Sequence, residues 1–390
     1  MSIVTIGSYD GFLAGWEFHR VDGVVKSKQT FGFKVQDTCI KTITVSPQFL
    51  ALGGSEEYVK VYDLAKKREV STLLDFSGPV VRVVLQDKKL YCASSDGYLT
   101  TYSINRDKIV IFNKTYVMKR IEDLAVDSTG KIALCIGKEG LSVINTLKAT
   151  VVFQRKLKFA AEGVAWIGLN KYIAISEKDT VHIYNRKFEE IQTLKCGERD
   201  KVRTMSSLSD ILVAGTEKGD VFSWNFAEKK EKQDAPKEPQ HDENNEKPSE
   251  QNTSPEAGPE TEKEVKEEEV EHKDDEKESS EVELHEEESK DIRMNEEADD
   301  EEEKMEEIEE EENDSSSEES VDDGSFPHTK KIKIADGRIR GVEMILIDDW
   351  VGYAVGFSSG KLCIVSRSGK VLMEMETGLR ITTLSTSMLQ

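Results

Sequence analysis

Apolar and polar positions alternate along most of this chain with the two-residue period of half-buried strands, and the alternation falls into one recurring pattern. An apolar run leads into a small-polar turn near Gly or Asp. An alternating strand then ends on an aromatic or apolar residue. Copies occupy 3–18, 49–64, 90–104, 132–145, 172–185, 211–226 and 351–365. Their closing residues Trp16, Tyr62, Tyr102, Ile144, Tyr184 and Trp224 lie 46, 40, 42, 40 and 40 positions apart, room for four short strands with turns. Alternation before each copy (40–45, 80–85, 121–126, 163–167, 202–208, 339–345, 381–386) supplies a first strand. Alternation after each copy (24–31, 69–74, 108–114, 150–157, 190–196, 329–335, 371–376) supplies a fourth. The chain begins at a second strand and ends just past a spare first strand, so the last strand completes the first blade and leaves no open edge. The prediction is an all-β, seven-bladed β-propeller closed by its N- and C-terminal strands.

One stretch departs from the pattern. From Ala227 to Ser325 there is no Phe, Tyr or Trp, and Glu, Asp, Lys, Ser and Pro dominate, so too little apolar area is available to offset the entropy of ordering. A long disordered acidic insertion within blade six is expected, between its third and fourth strands. The domain reading is therefore 1–226 for most of the propeller, 227–327 for the insertion, and 328–390 for the end of blade six, blade seven and the closing strand. Between Glu228 and Asp323 there are 44 acidic against 12 basic residues, whereas the remainder holds 41 basic and 32 acidic. The net charge of −23 thus describes the insertion, and the ring itself is mildly basic. Such a pairing favours nucleic acid or basic proteins as partners.

The repeat resembles the WD type, with Trp16-Glu17, Tyr62-Asp63 and Trp224-Asn225 nearest to the defining dipeptide. Order along the chain is more specific: Gly7-Ser8-Tyr9-Asp10 before Leu13-Ala14-Gly15, Leu52-Gly53-Gly54-Ser55 before Val61-Tyr62-Asp63-Leu64, then Lys66-Lys67-Arg68-Glu69. Ser77-Gly78, Ser95-Asp96-Gly97, Leu124-Ala125-Val126, Thr129-Gly130-Lys131-Ile132-Ala133-Leu134 and Val164-Ala165-Trp166 continue it. In this order the chain resembles the WD-repeat proteins that interact with p21-activated kinases and assist large ribosomal subunit assembly. The resemblance implies a non-enzymatic scaffold of the nucleus and nucleolus in 60S biogenesis and pre-rRNA processing, a monomeric ring within a larger complex. Its partners would be ribosome assembly factors or ribosomal proteins, and pre-rRNA within particles. The alternatives are an adaptor that binds and restrains a p21-activated kinase, and a chaperone for basic proteins built on the acidic insertion.

Candidate binding residues follow from the repeat register. The position after the opening apolar residue of the first strand is Lys41, Arg82, Arg203 and Arg340 in four blades, and first strands surround a propeller's channel. Arg120, Lys201, Arg338 and Arg380, with Lys119, sit just before or at such starts. Cations converging on one rim would attract phosphate or carboxylate, Arg in bidentate fashion; pairing with Glu122 or Glu162 at the same level is the competing reading. Ser317 and Ser320, ahead of carboxylates, suit an acid-directed kinase. Lys330-Lys331-Ile332-Lys333 reads as an import signal or, preferably, as part of a fourth strand. Trp166 and Trp350 break the aromatic register and are candidates for exposed contacts or for core.

No Gly-rich phosphate loop, HExxH or flanked nucleophile occurs, so neither an enzyme nor a cofactor or metal site is expected. The cysteines Cys39, Cys92, Cys135, Cys196 and Cys363 lack CxxC spacing and read as small buried hydrophobes in a reducing compartment. Neither a leader nor an apolar run of roughly 18 residues is found, so no membrane partner is expected.

Overall fold

The computed structural model describes residues 2–105, 108–227 and 328–388, all strands and connections of one unit. Blade one joins β1 (Ser2–Ser8), β2 (Phe12–Val21) and β3 (Val24–Lys34) to the last strand, β28 (Ile381–Met388). Blade two holds β4 (Ile40–Val45), β5 (Phe49–Gly54), β6 (Val59–Asp63) and β7 (Arg68–Leu73). Blade three holds β8 (Val80–Gln86), β9 (Lys89–Ser94), β10 (Tyr98–Asn105) and β11 (Lys108–Tyr116). Blade four is β12 (Asp123–Val126), β13 (Ile132–Gly137), β14 (Gly140–Asn145) and β15 (Thr150–Arg155). Blade five is β16 (Gly163–Ile167), β17 (Tyr172–Glu177), β18 (Thr180–Asn185) and β19 (Glu190–Lys195). Blade six is β20 (Val202–Leu208), β21 (Ile211–Thr216), β22 (Asp220–Asn225) and β23 (His328–Lys333). Blade seven is β24 (Ile339–Ile347), β25 (Trp350–Phe357), β26 (Lys361–Ser366) and β27 (Val371–Glu376). All seven sheets are four-stranded antiparallel meanders, and the chain is a seven-bladed β-propeller.

Closure is explicit. β28 pairs with β1 from Ser2↔Met388 to Ser8↔Ile381, and the innermost strands touch in a cycle, β28 to β4, β8, β12, β16, β20, β24 and back to β28. The Thr382 hydroxyl donates to Gly7 O at 3.0 Å and also to Ile40 O, tying the closing strand to blade two.

The core lies between blades. Each of the seven apolar clusters draws on two neighbouring sheets, one cluster for each junction. Second strands such as β5, apolar and small along their whole length, are buried on both faces, whereas outer strands such as β15 are mostly exposed. The closing residues Trp16, Tyr62, Tyr102, Ile144 and Tyr184 each sit where the register with the fourth strand slips by one, so a bulge accommodates the side chain. All but Tyr62 are buried, as is Trp224.

Trp166 and Trp350 are partly buried against the clusters of blades four–five and seven–one, so the core reading holds for both. Four of the cysteines are buried, Cys39 is half-buried, and all are free thiols. Lys330–Lys333 lies in β23, with Ile332 inward and Lys331 and Lys333 near Asp220. The acidic insertion, Ser317 and Ser320 lie outside the described residues, although β22 and β23 pair directly across it, Asn225 opposite His328. Among the described residues no helix is long and apolar enough to cross a membrane.

Candidate partner-binding mouth of the channel

The first strands begin at one mouth of the channel, and most begin with a bulge. Two residues of the first strand oppose one of the second at Thr382, Lys41, Val81, Arg203 and Arg340, which the pairing skips. In blades four and five the same place is held by Glu122 and Glu162, whose N–H groups donate to Ile136 O and Ser176 O at 2.8 and 2.9 Å. A bulge turns its extra side chain out of the ladder, so these seven positions form a ring around the mouth. Cations occupy blades six, seven and two, and carboxylates occupy blades four and five. The rim is therefore polar across its diameter.

Arg82 does not belong to that ring. Val80 opens β8, Val81 takes the bulge, and Arg82 falls one residue deeper. There its Nε donates to Asp123 Oδ1 at 2.6 Å in the next blade. The Asp123 charge raises the affinity of the guanidinium for its proton above the usual Arg range. Asp123 is buried, and its other oxygen accepts from Val164 N–H at 3.0 Å in blade five, so one carboxylate fastens three consecutive blades. Thr42 and Thr44 likewise accept from Val83 N and Leu85 N, both at 3.0 Å. Arg82 is thus part of a system that satisfies the inner edge of the first strands.

The remaining candidates divide by partner. Arg120 pairs with Glu122 at 2.9 Å and Lys201 with Glu162 at 2.7 Å, so these two are neutralised at the rim. Arg203 of blade six and Arg338, just before blade seven, both pair with Glu217. Partial burial works against the charge of Glu217, and hydrogen bonds and charge from the two arginines outweigh it, holding the carboxylate below its usual range. Glu217 stands on the β21–β22 turn, where Gly219 has φ +92° and an added Cβ would meet Ala335 O at 1.8 Å. Only glycine fits that turn.

Arg340 has no ion pair among the described residues, and its Nε is shut off from solvent without a hydrogen-bond partner. Burial, reinforced by the like charges of Arg338 and Arg203, pushes its guanidinium below the usual Arg range. Lys41 is exposed and also lacks an ion pair among the described residues. Arg380 lies over the ring of Tyr9 at 4.6 Å, and Tyr9 is itself exposed.

Two carboxylates that the fold sets beside arginines carry no local signal in the sequence. Glu217 is one acidic residue in a turn. Glu343, on β24, faces the channel near Arg82 and accepts from Ser206 Oγ at 2.5 Å. Burial pushes its carboxyl up to about 7 against the lowering effects of Ser206 and Arg82. Among the described residues no group of three or more His, Cys, Asp and Glu is placed to hold a metal ion.

No protein-family profile matches the chain. Over 181 residues it is 23% identical to a p21-activated protein kinase-interacting protein 1-like of Xenopus laevis, covering 46% of this chain and 50% of that protein. The Danio rerio protein of the same name is 24% identical over 180 residues, 46% of this chain and 49% of the other. Protein MAK11 of Saccharomyces cerevisiae is 25% identical over 176 residues, 40% and 42%. The chain is similar to WD-repeat proteins of the p21-activated kinase-interacting type. It spans about half the length of the curated relatives it matches. A chain in a crystal structure of a mitotic checkpoint complex superposes with a TM-score of 0.48 at 15% identity, over 58% of this chain and 73% of that one.

Proposed function

We propose that this protein is a non-enzymatic WD-repeat scaffold in large (60S) ribosomal subunit biogenesis and pre-rRNA processing, working in the nucleus and nucleolus. It holds assembly factors, ribosomal proteins or pre-rRNA against the bulge-ring mouth of its channel. The observation that carries the docking face is the lopsided rim: Arg203, Arg340 and Lys41 project from bulges on blades six, seven and two, and among the described residues Glu217 is the single carboxylate paired with a cation of that arc. A surface with unspent positive charge steers an anionic partner and fixes its register. The ribosomal setting follows from the resemblance in repeat order. The domain reading accompanies it, with residues 1–226 and 328–390 as the working ring and 227–327 as an excursion from blade six.

The test is to replace Lys41, Arg203 and Arg340 together by Glu in tagged full-length protein and follow it through a sucrose gradient. Arg82 is left intact because it fastens blades. Loss of co-sedimentation with pre-60S particles, with a native circular dichroism spectrum, is the expected result. Unchanged co-sedimentation would remove the docking face. A second reading, an adaptor that binds and restrains a p21-activated kinase, is favoured by the names of the Xenopus and Danio relatives. It predicts a soluble kinase complex free of RNA in the same purification.

A further inference from the structure

At the junction of blades six and seven three guanidiniums share one carboxylate. Glu217 pairs with Arg203 and Arg338, and Arg340 beside them feels its charge but has no ion pair among the described residues. The local balance is three positive charges against one negative. Two donors are also idle: the Nε groups of both Arg203 and Arg340 are closed off from solvent and donate to nothing. A buried donor left unmade costs about 1–3 kcal/mol, more in a charged group, and because these two atoms are closed to solvent an incoming acceptor would meet the outer nitrogens of the guanidiniums instead.

We propose that Arg203, Arg338 and Arg340 form a receptor for one phosphorylated serine or threonine side chain carried by an extended partner peptide. This deepens, and rests on, the reading of the mouth as a docking face. The charge matches: a phosphomonoester carries about −1.5 to −2 at neutral pH, close to the excess of two left after Glu217. The chemistry matches as well, because planar guanidinium forks suit the three acceptor oxygens of a phosphoryl group, and Arg is less costly to dehydrate than Lys. Burial, and after it the like charges of Arg338 and Arg203, depresses the proton affinity of Arg340, and an arriving dianion offsets the second of these.

Placement favours a single side chain over a nucleic-acid strand. The three guanidiniums gather around one carboxylate, Glu217, at one blade junction, a spacing that suits one compact anionic group. A polyanion laid across the rim would meet on blades four and five only cations already paired, Arg120 with Glu122 and Lys201 with Glu162. Beyond the cluster, exposed Tyr9 with Arg380 over its ring, and then Lys41, continue the same arc through blades one and two. They offer an apolar face and further positive charge to the residues flanking the phosphate.

The experiment measures fluorescence anisotropy of the full-length protein with three labelled probes: a degenerate peptide library with a central phosphoserine, the same library with serine, and a single-stranded RNA of matched net charge. The expected result is saturable binding of the phosphoserine library, at least about tenfold tighter than the serine library, the factor produced by about 1.4 kcal/mol. Arg340→Gln should weaken it by roughly tenfold or more, since a hydrogen bond to a charged group contributes about 1.5–3 kcal/mol. Arg340→Lys should recover only part of the loss, and both variants should keep the native melting temperature. Equal binding of the two libraries, tighter binding of RNA than of the phosphoserine library, or insensitivity to Arg340→Gln would overturn the receptor. If the receptor fails while the triple Glu variant still loses particles, the docking face stands on other chemistry. If phosphopeptide binding is present while particle association ignores the triple variant, the receptor stands and the mouth is not the face that holds the particle.

Discussion

Closure of the ring by β28 carries a stability cost that can be worked from the structure. Leu384 is 5% exposed and packs in the cluster shared by blades one and seven; Gly341 of β24 lies so close that a Cβ there would meet the Leu384 Cβ at 2.4 Å. Leu384→Ala opens a cavity in a rigid junction, and substitutions of this kind cost about 2–5 kcal/mol. With a shift of about 2–4 °C per kcal/mol for a chain of this order of size, a loss of about 3 kcal/mol lowers the melting temperature by roughly 6–12 °C. Ending the chain after Arg380 is more severe. Burial of Ile381 and Leu384 is worth about 1.5–3 kcal/mol each, and the cut also removes the β1 ladder and bares an inner strand edge. The side-chain loss alone, about 3–6 kcal/mol, is comparable with the about 5–15 kcal/mol that holds a domain together. Thermal circular dichroism and solubility of the two variants check this. The truncated chain should be insoluble or melt without cooperativity, and melting of either variant within about 2 °C of the parent would refute the argument that the last strand closes the fold.

Two other outcomes are expected. The Glu343 carboxyl, raised from 4.5 to about 7 by burial, keeps its proton in the folded state over a range where the unfolded chain has lost it. The folded state then binds more protons, so stability falls as pH rises from 4.5 through about 7. Urea melts at pH 5 and pH 8 should show Glu343→Gln flattening that fall and exceeding the parent at pH 8; parallel curves would contradict it. Replacing 228–327 by a short turn should leave a folded propeller, because Asn225 and His328 already face each other at the end of the β22–β23 ladder. Loop-closure scaling gives about 0.6 kcal/mol for each doubling of length, so shortening from about 100 residues to about four gains about 3 kcal/mol. A melting temperature below that of the full chain would show that the insertion contributes to the fold.

The blades were legible because a propeller spends nearly every strand on the same problem. Each sheet must bury both faces against its neighbours, so the apolar period and the aromatic at the end of the third strand recur without help from distant sequence. The spare strand at 381 announced closure by the same logic, since a blade with three strands and a strand without a blade solve each other. The mouth was harder to read, because its chemistry depends on single-residue offsets. Val80 and Val81 both qualify as the opening apolar residue of β8, and alternation cannot say which of them is absorbed by a bulge. The ladder decides: Val80 faces Ser94 and Arg82 faces Ala93. That one step moves Arg82 from the rim to Asp123 and turns a presumed docking cation into a fastener between blades. Glu122 and Glu162 stand at the positions equivalent to Lys41 and Arg203, each paired with a neighbouring cation, so a rim expected to be basic in four blades is basic on one side and charge-compensated on the other. Glu217 and Glu343 escaped notice for the opposite reason: a carboxylate on a turn or on an alternating strand looks solvated until the fold sets arginines or a desolvating wall beside it. On the proposed reading, that asymmetry is the source of selectivity. A uniformly basic ring would hold any polyanion that reached it, whereas a half-basic ring with its arginines gathered at one junction can prefer a compact dianion in one orientation.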